Sequence, residues 1–431
     1  MPDQRIGGSR WARLVPVAFI TYSLAYVDRA NYSIGSAAGL GKDLGISGQQ
    51  DALLGALFFL GYFLFQIPGA WYAESRSAKR LIFWSLLLWG VLAAMTGVIR
   101  DIHWLYLDRF LLGIAESVVL PGMLIFLSHW FNRSERSRAN AFLILGNPVT
   151  VLWMSIVSGY LVHAVGWRGM FIAEGVPAIV WAFLWWWLVE DTPAQAGWLA
   201  PSDRATLERQ LAEEQRTLKP VRNYAEAFRS SLVITLSVQY FCWSVGVYGF
   251  VIWLPSMLRA GRSIGIVEVG WLSAAPYLLA TLLMILASTL SDWSGRRRAF
   301  VWPFLVVGAV AFIGSYLLGS ASFWLGFALL VVAGGAMYAP YGPFFAWIPE
   351  VLPRNVAGGA IALINSCGAL GSFVGSYAVG WLNAATGGPG LSYLIMAAAL
   401  LLSGVLTLLV QQATFGRAGQ PAGKTVSGKQ R

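Results

Sequence analysis

The chain has 431 residues, of which 57% are hydrophobic and only 12% are charged, and its mean hydropathy is +0.62. This composition excludes a water-soluble enzyme of the same length, because such proteins carry about twice that fraction of charged residues. The net charge of +10 does not indicate nucleic acid, since no basic stripe with interleaved aromatic residues follows the chain. We therefore predict an all-α integral membrane protein.

Twelve apolar stretches are long enough to cross a bilayer as helices, which takes about 20 residues each. They lie at 14–38, 51–73, 81–99, 105–131, 139–163, 167–189, 231–258, 268–290, 299–319, 323–348, 356–383 and 390–412. A polar stretch divides them into six and six. The predicted domains are a tail at 1–13, a six-helix bundle at 14–189, a linker at 190–230, a second six-helix bundle at 231–412 and a tail at 413–431.

The linker is rich in mixed charge and predicts a solvated helix or, alternatively, a regulatory segment that binds a partner. Most of the 30 Lys and Arg residues fall in the tails, in the linker and in connections on the same side of the membrane. The positive-inside rule therefore places both termini in the cytoplasm. The first apolar run lacks a small-residue cleavage site, so it is predicted to remain as the first span.

The two halves resemble each other at one constant offset, which carries the loop 74–80 onto the loop 292–298 and Asn147 onto Asn365. Each of these loops follows the second span of its half. The pattern predicts two pseudo-symmetric bundles, and in such transporters the substrate site lies at the midplane between the halves.

Buried charge is confined to the first half. Asp28 and Arg29 lie inside the first span, and Arg109 and Glu116 inside the fourth. At the same offset the second half offers no charged counterpart of Asp28, Arg109 or Glu116. Its spans carry neutral polar groups instead: Gln239, Tyr240, Tyr338, Tyr341 and Asn365.

Charge inside a membrane span usually marks a substrate or ion path. Arg29 is the first candidate ligand for an anion and Arg109 the second, because a guanidinium binds a carboxylate in two-point fashion and keeps its proton. A carboxyl group in a medium of low dielectric tends to hold a proton near neutral pH, so Asp28 and Glu116 are candidate proton carriers. Plain interhelical ion pairs are the alternative for all four residues, and a structural role is the first interpretation of Glu174.

The loop after the eighth predicted span combines Asp292, Gly295, Arg297 and Arg298. A carboxylate beside a basic cluster at a helix junction predicts a gating loop closed by salt bridges. No catalytic residue, metal cluster or phosphate-binding loop stands out, so we expect no enzyme activity, no metal and no cofactor, with protons as the coupling ion.

The chain resembles the major facilitator superfamily from about residue 14 to 412, and more narrowly its anion:cation symporter family. Four motifs carry the narrower resemblance: Tyr26-Val27-Asp28-Arg29-Ala30-Asn31, Gln66-Ile67-Pro68-Gly69, Arg109-Phe110-Leu111-Leu112-Gly113-Ile114-Ala115-Glu116 and Trp253-Leu254-Pro255. The resemblance implies that Asp28 and Glu116 are the proton-linked acids and that Arg29 and Arg109 recognise the anion. It also implies cavity-lining roles for Tyr26, Tyr62, Gln239 and Asn365.

Within that family the stretches 19–26, 143–148 and 339–344 are most similar to bacterial 2-ketogluconate (2-dehydrogluconate) transporters. This resemblance implies proton-coupled import of a sugar-acid monocarboxylate by alternating access. It also implies a monomeric, multi-pass protein of the bacterial cytoplasmic (inner) membrane, with the lipid bilayer as its partner. Two alternatives stay open: a symporter for an aromatic or dicarboxylate anion such as phthalate or tartrate, and a membrane sensor that binds its ligand without moving it.

Overall fold

The computed structural model describes residues 9–217, 230–262, 264–319, 321–351 and 357–410, and within these ranges the only regular secondary structure is helical. The α-helices are α1 (Ser9–Ala38), α2 (Leu40–Asp43), α3 (Gly48–Ser75), α4 (Ala78–Val98), α5 (Ile102–Ser117), α6 (Val119–Trp130), α7 (Arg133–Leu188), α8 (Pro201–Thr217), α9 (Ser231–Gly261), α10 (Ile266–Ser294), α11 (Trp302–Leu318), α12 (Phe323–Tyr338), α13 (Tyr341–Val351), α14 (Ala357–Thr386) and α15 (Gly390–Leu409). Short 3₁₀ helices lie at Pro193–Gln195 and Arg297–Phe300. The predicted tail at 413–431, residues 1–8 of the other tail and residues 218–229 of the linker lie outside the described residues.

Ten helical segments in the described ranges are long and apolar enough to cross a membrane. One of them, Phe142–Leu188, has 47 residues, which is about 70 Å of helix and more than twice the thickness of a hydrocarbon core. It crosses twice, because α7 is broken at Gly166, whose φ of 72° and ψ of 171° are not helical and suit glycine alone. With α1, whose polar Asp28 and Arg29 lower its hydropathy, the described residues form twelve spans. The predicted all-α, twelve-span membrane fold is confirmed.

Helices α1–α7 form the N-half and α9–α15 the C-half, and the halves pack together along α3 with α14, α7 with α10 and α1 with α9. Small residues allow the closest approach: a Cβ on Gly380 of α14 would lie 2.2 Å from Trp253 Cζ2 and 2.7 Å from the Cβ of Ala52 on α3. The Arg259 guanidinium of α9 donates to the backbone oxygen of Ala37. These contacts lie where α1 ends and α3 begins, an end that we call the distal face; α1 begins at the opposite, proximal face. The halves are therefore closed against each other at the distal face.

The described part of the linker contains the 3₁₀ helix Pro193–Gln195 and α8, and it packs against the N-half. Trp198 stacks on Trp130 of α6, with ring centroids 5.4 Å apart and planes inclined by 17°. The Arg13 guanidinium lies 4.9 Å from the Trp198 ring, and Leu207 of α8 is fully buried. The start of the linker thus packs on the proximal face of the N-half. The exact domain boundaries stay a prediction.

Candidate functional site

The charged stretch of α1 presents two different faces to its neighbours. Asp28 and Asn31 are three residues apart and share one face, where Asn31 Nδ2 donates a 3.0 Å hydrogen bond to Asp28 Oδ1. Trp89 of α4 donates its indole N–H to Asp28 Oδ2. Arg29 points about 100° away from Asp28 around the helix. The two neighbours therefore belong to separate contacts instead of neutralising each other.

Arg29 is paired with Glu116 of α5. Its Nε and Nη2 lie 2.9 Å and 2.8 Å from Glu116 Oε1, and the Glu116 side chain is completely buried. Glu116 Oε2 has no hydrogen-bond partner among the described residues. The guanidinium lies 4.5 Å from the ring centroid of Tyr26 and 4.8 Å from that of Tyr62. The structure thus brings four predicted residues together in one buried contact with aromatic walls.

Arg109 occupies a second buried position on α5, beyond the ring of Phe58. The Phe58 centroid is 5.5 Å from the Arg109 guanidinium carbon and 5.6 Å from that of Arg29. Arg109 also lies 4.7 Å from the Tyr32 ring. Its Nε and Nη1 are buried without a hydrogen-bond partner in the described residues. Two guanidinium groups therefore flank one phenyl ring, and Arg109 keeps donors available for a ligand.

The C-half reaches this cluster through Tyr248, a residue that the sequence did not single out. Its hydroxyl lies 3.4 Å from Arg29 Nη1, and its ring packs edge-on against Phe59 at 4.7 Å. One signal existed: the internal duplication aligns Tyr248 of α9 with Ala30 of α1, inside the charged stretch. Tyr248 provides a direct contact between the C-half and the candidate anion ligand.

The predicted C-half ligands lie elsewhere. Gln239 is fully buried, and its Nε2 donates a 3.1 Å hydrogen bond to Thr407 of α15. The side chain thus contacts α15. Asn365 is half-buried on α14, and its neighbour Ser366 donates a 3.1 Å hydrogen bond across the halves to Gln66 Oε1. The roles of Gln239 and Asn365 in binding stay predictions.

The predicted gating loop ties helix ends of the C-half together. Gly295 ends α10 with a φ of 64°, a left-handed conformation that glycine adopts readily. Arg297 donates to Asp292 and, at 3.1 Å, to Glu350 of α13. Arg298 donates to backbone oxygens at the end of α15. These contacts stay within the C-half, and a role in gating stays a prediction.

Among the described residues no group of three His, Cys, Asp or Glu side chains is arranged to hold a metal ion. The arrangement on α1, α5 and α9 instead combines two buried guanidinium groups, two buried carboxyl groups and several phenolic hydroxyls. Chemically it can bind an anion and take up protons, since each arginine keeps its positive charge while each carboxylate can bind a proton and become neutral.

Known proteins are similar to this chain in sequence and in fold. A family model described as Major Facilitator Superfamily matches this chain over residues 18–375 and 261–428. A protein of Agrobacterium vitis named "Putative tartrate transporter" is 29% identical over 409 residues, which cover 93% of this chain and 90% of that protein. "Inner membrane transport protein RhmT" of Escherichia coli (strain K12) is 31% identical over 375 residues, with coverages of 84% and 85%.

Among solved structures, the inward open conformation of the xylose transporter XylE from E. coli is similar to this chain with a TM-score of 0.76. The match covers 95% of this chain and 98% of that one at 14% sequence identity. At this identity the likeness concerns the fold alone.

Proposed function

The chain belongs to the Major Facilitator Superfamily, and on this premise we propose that it is a symporter that imports an organic anion together with protons. It is a membrane transporter and not an enzyme. The observation that carries the proposal is the buried pair of Arg29 and Glu116, because it joins a permanent cation to an acid that can lose its charge.

Competition for Arg29 links the anion to the proton. While Glu116 is ionised, its carboxylate occupies Arg29 Nε and Nη2 at 2.9 Å and 2.8 Å. A proton on Glu116 removes that charge, and the guanidinium is then free to bind the carboxylate of a substrate. A site that holds both the anion and the proton carries less net charge than a site that holds only one of them. Less charge must then be moved through the low-dielectric interior when the transporter changes conformation.

Closure at the distal face supports alternating access. Trp253 and Ala52 meet around Gly380 there, so a substrate bound at Arg29 has no path between those helices. The basic residues of the proximal face suit the cytoplasm by the positive-inside rule. The described conformation then corresponds to a transporter closed to the outside of a bacterial cytoplasmic membrane, with both termini inside.

A sugar-acid monocarboxylate such as 2-ketogluconate suits the site in this proposal. Arg29 supplies one guanidinium for one carboxylate. The phenolic side chains of Tyr26 and Tyr62 lie against that guanidinium, where their hydroxyls suit the hydroxyls of a sugar acid.

A dicarboxylate is the second candidate, and Arg109 favours it. Its unpartnered Nε and Nη1 are suited to a second carboxylate, and the Agrobacterium vitis relative is named for tartrate. An aromatic diacid such as phthalate also carries two carboxylates, one for each arginine.

Uptake by purified protein in proteoliposomes tests the proposal. Labelled 2-ketogluconate or tartrate should accumulate when the outside is acidic, and an uncoupler should abolish the accumulation. Unlabelled acids at equal concentration then rank the substrates by competition. Accumulation that survives collapse of the proton gradient would contradict proton coupling, and binding without counterflow would instead indicate a sensor.

A further inference from the structure

Glu174 is a buried acid of the N-half that the proposed function leaves unused. It lies on the part of α7 that follows the break at Gly166, and 5% of its surface is exposed. Ser158, on the part before the break, donates a 2.7 Å hydrogen bond to its Oε1. Its Oε2 is buried without a hydrogen-bond partner, and the ion pairs found within the described residues do not include it. An unpaired carboxylate at this depth costs several kcal/mol, whereas the protonated form avoids that cost.

Asn31 stands between Glu174 and the site. Its Nδ2 donates to Asp28 Oδ1 at 3.0 Å. About one turn along the two helices, a Cβ on Gly35 of α1 would lie 3.0 Å from the ring of Phe171 on α7, and this packing brings Asn31 level with Glu174. Asn31 Oδ1 is buried and has no partner among the described residues. A protonated carboxyl group offers one O–H donor, and the Asn31 oxygen is an acceptor that lacks a donor. A proton on Glu174 therefore suits two buried oxygen atoms that are otherwise left unsatisfied.

Within the described part of the chain, the charged group that acts on Glu174 is Asp28 of α1. On α4, the packing partner at Gly175, the charged residues Lys79 and Arg80 are confined to the first turn. On α10, which packs against α7, Glu268 and Asp292 lie in the first and last turns. Two acids thus share this region of the N-half, and an asparagine joins them.

We infer that Glu174 is a further proton-binding site, coupled to Asp28 through Asn31. When Asp28 is ionised, Glu174 holds a proton and donates it as a hydrogen bond to Asn31 Oδ1. When Asp28 takes up a proton, the Asn31 Nδ2 group is released and becomes a donor for the Glu174 carboxylate. The two acids then titrate as a pair. The inference rests on the proposed proton coupling and extends it to a residue away from Arg29.

Proton-driven uptake and counterflow exchange, measured across pH in proteoliposomes, separate this role from a structural one. We expect Glu174→Gln to keep counterflow within about twofold and to move the midpoint of the pH profile of uptake by about one unit or more, as loss of one member of a coupled acid pair does. Ser158→Ala should also move the midpoint, since it removes the hydrogen bond at Oε1. This variant serves as the test if Glu174→Gln does not fold.

Asp51→Asn is the matched control. Asp51 is also a buried acid, but Tyr32 and Ser36 donate hydrogen bonds of 2.6 Å and 2.7 Å to its two carboxylate oxygens, so its variant should keep the wild-type midpoint. An unchanged midpoint in both Glu174→Gln and Ser158→Ala would overturn the inference, as would parallel loss of counterflow and uptake at every pH. If the wild-type protein shows no proton dependence, the proposed function fails first and the inference falls with it.

Discussion

The two halves share a six-span architecture but use equivalent positions in opposite ways. Where the N-half has Asp28 and Glu116, the duplication gives Gly246 and Gly334 in the C-half. A Cβ on Gly246 would lie 2.9 Å from Leu400, and one on Gly334 would lie 2.6 Å from the Cβ of Pro276. The C-half thus fills with close helix packing the positions at which the N-half keeps ionisable groups.

In the proposed symporter, this contrast divides the work between the halves. The N-half keeps a buried ion pair and aromatic contacts to both arginines. The C-half contributes a neutral aromatic cluster, in which Tyr240 stacks on Phe344 at 5.4 Å and Trp243 packs on Tyr341 at 4.6 Å. In our proposal the N-half binds charge and protons, while the C-half surrounds the uncharged part of the ligand. The predictions below test this division.

Replacement of Arg29 should have the largest effect. Arg29→Ala removes the anion ligand and leaves Glu116 buried without its cation, so uptake should fall by about 100-fold or more. Initial rates in proteoliposomes measure the loss. Arg168→Ala, which removes an arginine bonded to the backbone of Ile99 at 2.8 Å, is the control and should stay within about twofold of wild type. Substantial uptake by Arg29→Ala would place anion recognition outside the N-half cluster.

Glu116→Gln should separate exchange from accumulation. The amide keeps the shape of the protonated acid and cannot release a proton, so counterflow should persist while accumulation driven by a pH gradient falls by about tenfold, the size of an ordinary coupling between two ligands. Parallel assays of both activities provide the readout. Glu268→Gln, at an exposed acid of α10, should leave both unchanged. If Glu116→Gln still accumulates substrate as wild type does, the coupling acid lies elsewhere.

Tyr248→Phe should have a moderate effect on affinity. It removes the hydroxyl that lies 3.4 Å from Arg29 Nη1, and loss of one such hydrogen bond should raise the KM by about three- to tenfold. Concentration series of initial uptake rates measure this change. Tyr316→Phe, at an exposed tyrosine of α11, should keep the wild-type KM. An unchanged KM in Tyr248→Phe would mean that the C-half does not touch the charged end of the substrate.

Gln239→Leu should have the smallest effect on binding. Its amide is engaged with Thr407 inside the C-half, so the KM should change by less than about twofold, as for a residue without a ligand contact. Substrate competition curves are sensitive enough to measure this. A tenfold rise in KM would show that Gln239 turns toward the substrate in another conformation, and it would restore the role that the family resemblance assigns to it.

The sequence predicted the spans well because apolar length is a strong and local signal. It also placed Asp28, Arg29, Arg109 and Glu116 at membrane depth, and the structure brings Arg29 and Glu116 together. Depth follows directly from position along a span, so an ionisable residue in an apolar run is visible without any knowledge of packing.

Rotation about the helix axis was much harder to predict. Successive side chains on a helix point about 100° apart. An error of one residue in the helix phase therefore assigns to the cavity a side chain that packs against a neighbouring helix. Gln239 illustrates the difficulty: its amide nitrogen donates to Thr407 of α15, and its role in binding stays a prediction. Tyr248 and Phe58 were missed for a related reason: aromatic side chains are common in the spans, and the sequence does not distinguish an aromatic that touches a guanidinium from one that fills the core.

Gly380 has a consequence for how such a protein adapts. Its missing side chain sets the clearance of the distal closure, because a Cβ there would lie 2.7 Å from the Cβ of Ala52 in the other half. In the proposed alternating-access cycle, a larger residue at this position should act as a wedge between the halves and favour the state that is open at the distal face, without altering the charge cluster. In that proposed cycle, one substitution outside the charge cluster is enough to shift the balance between the two states, while the residues of the site stay unchanged.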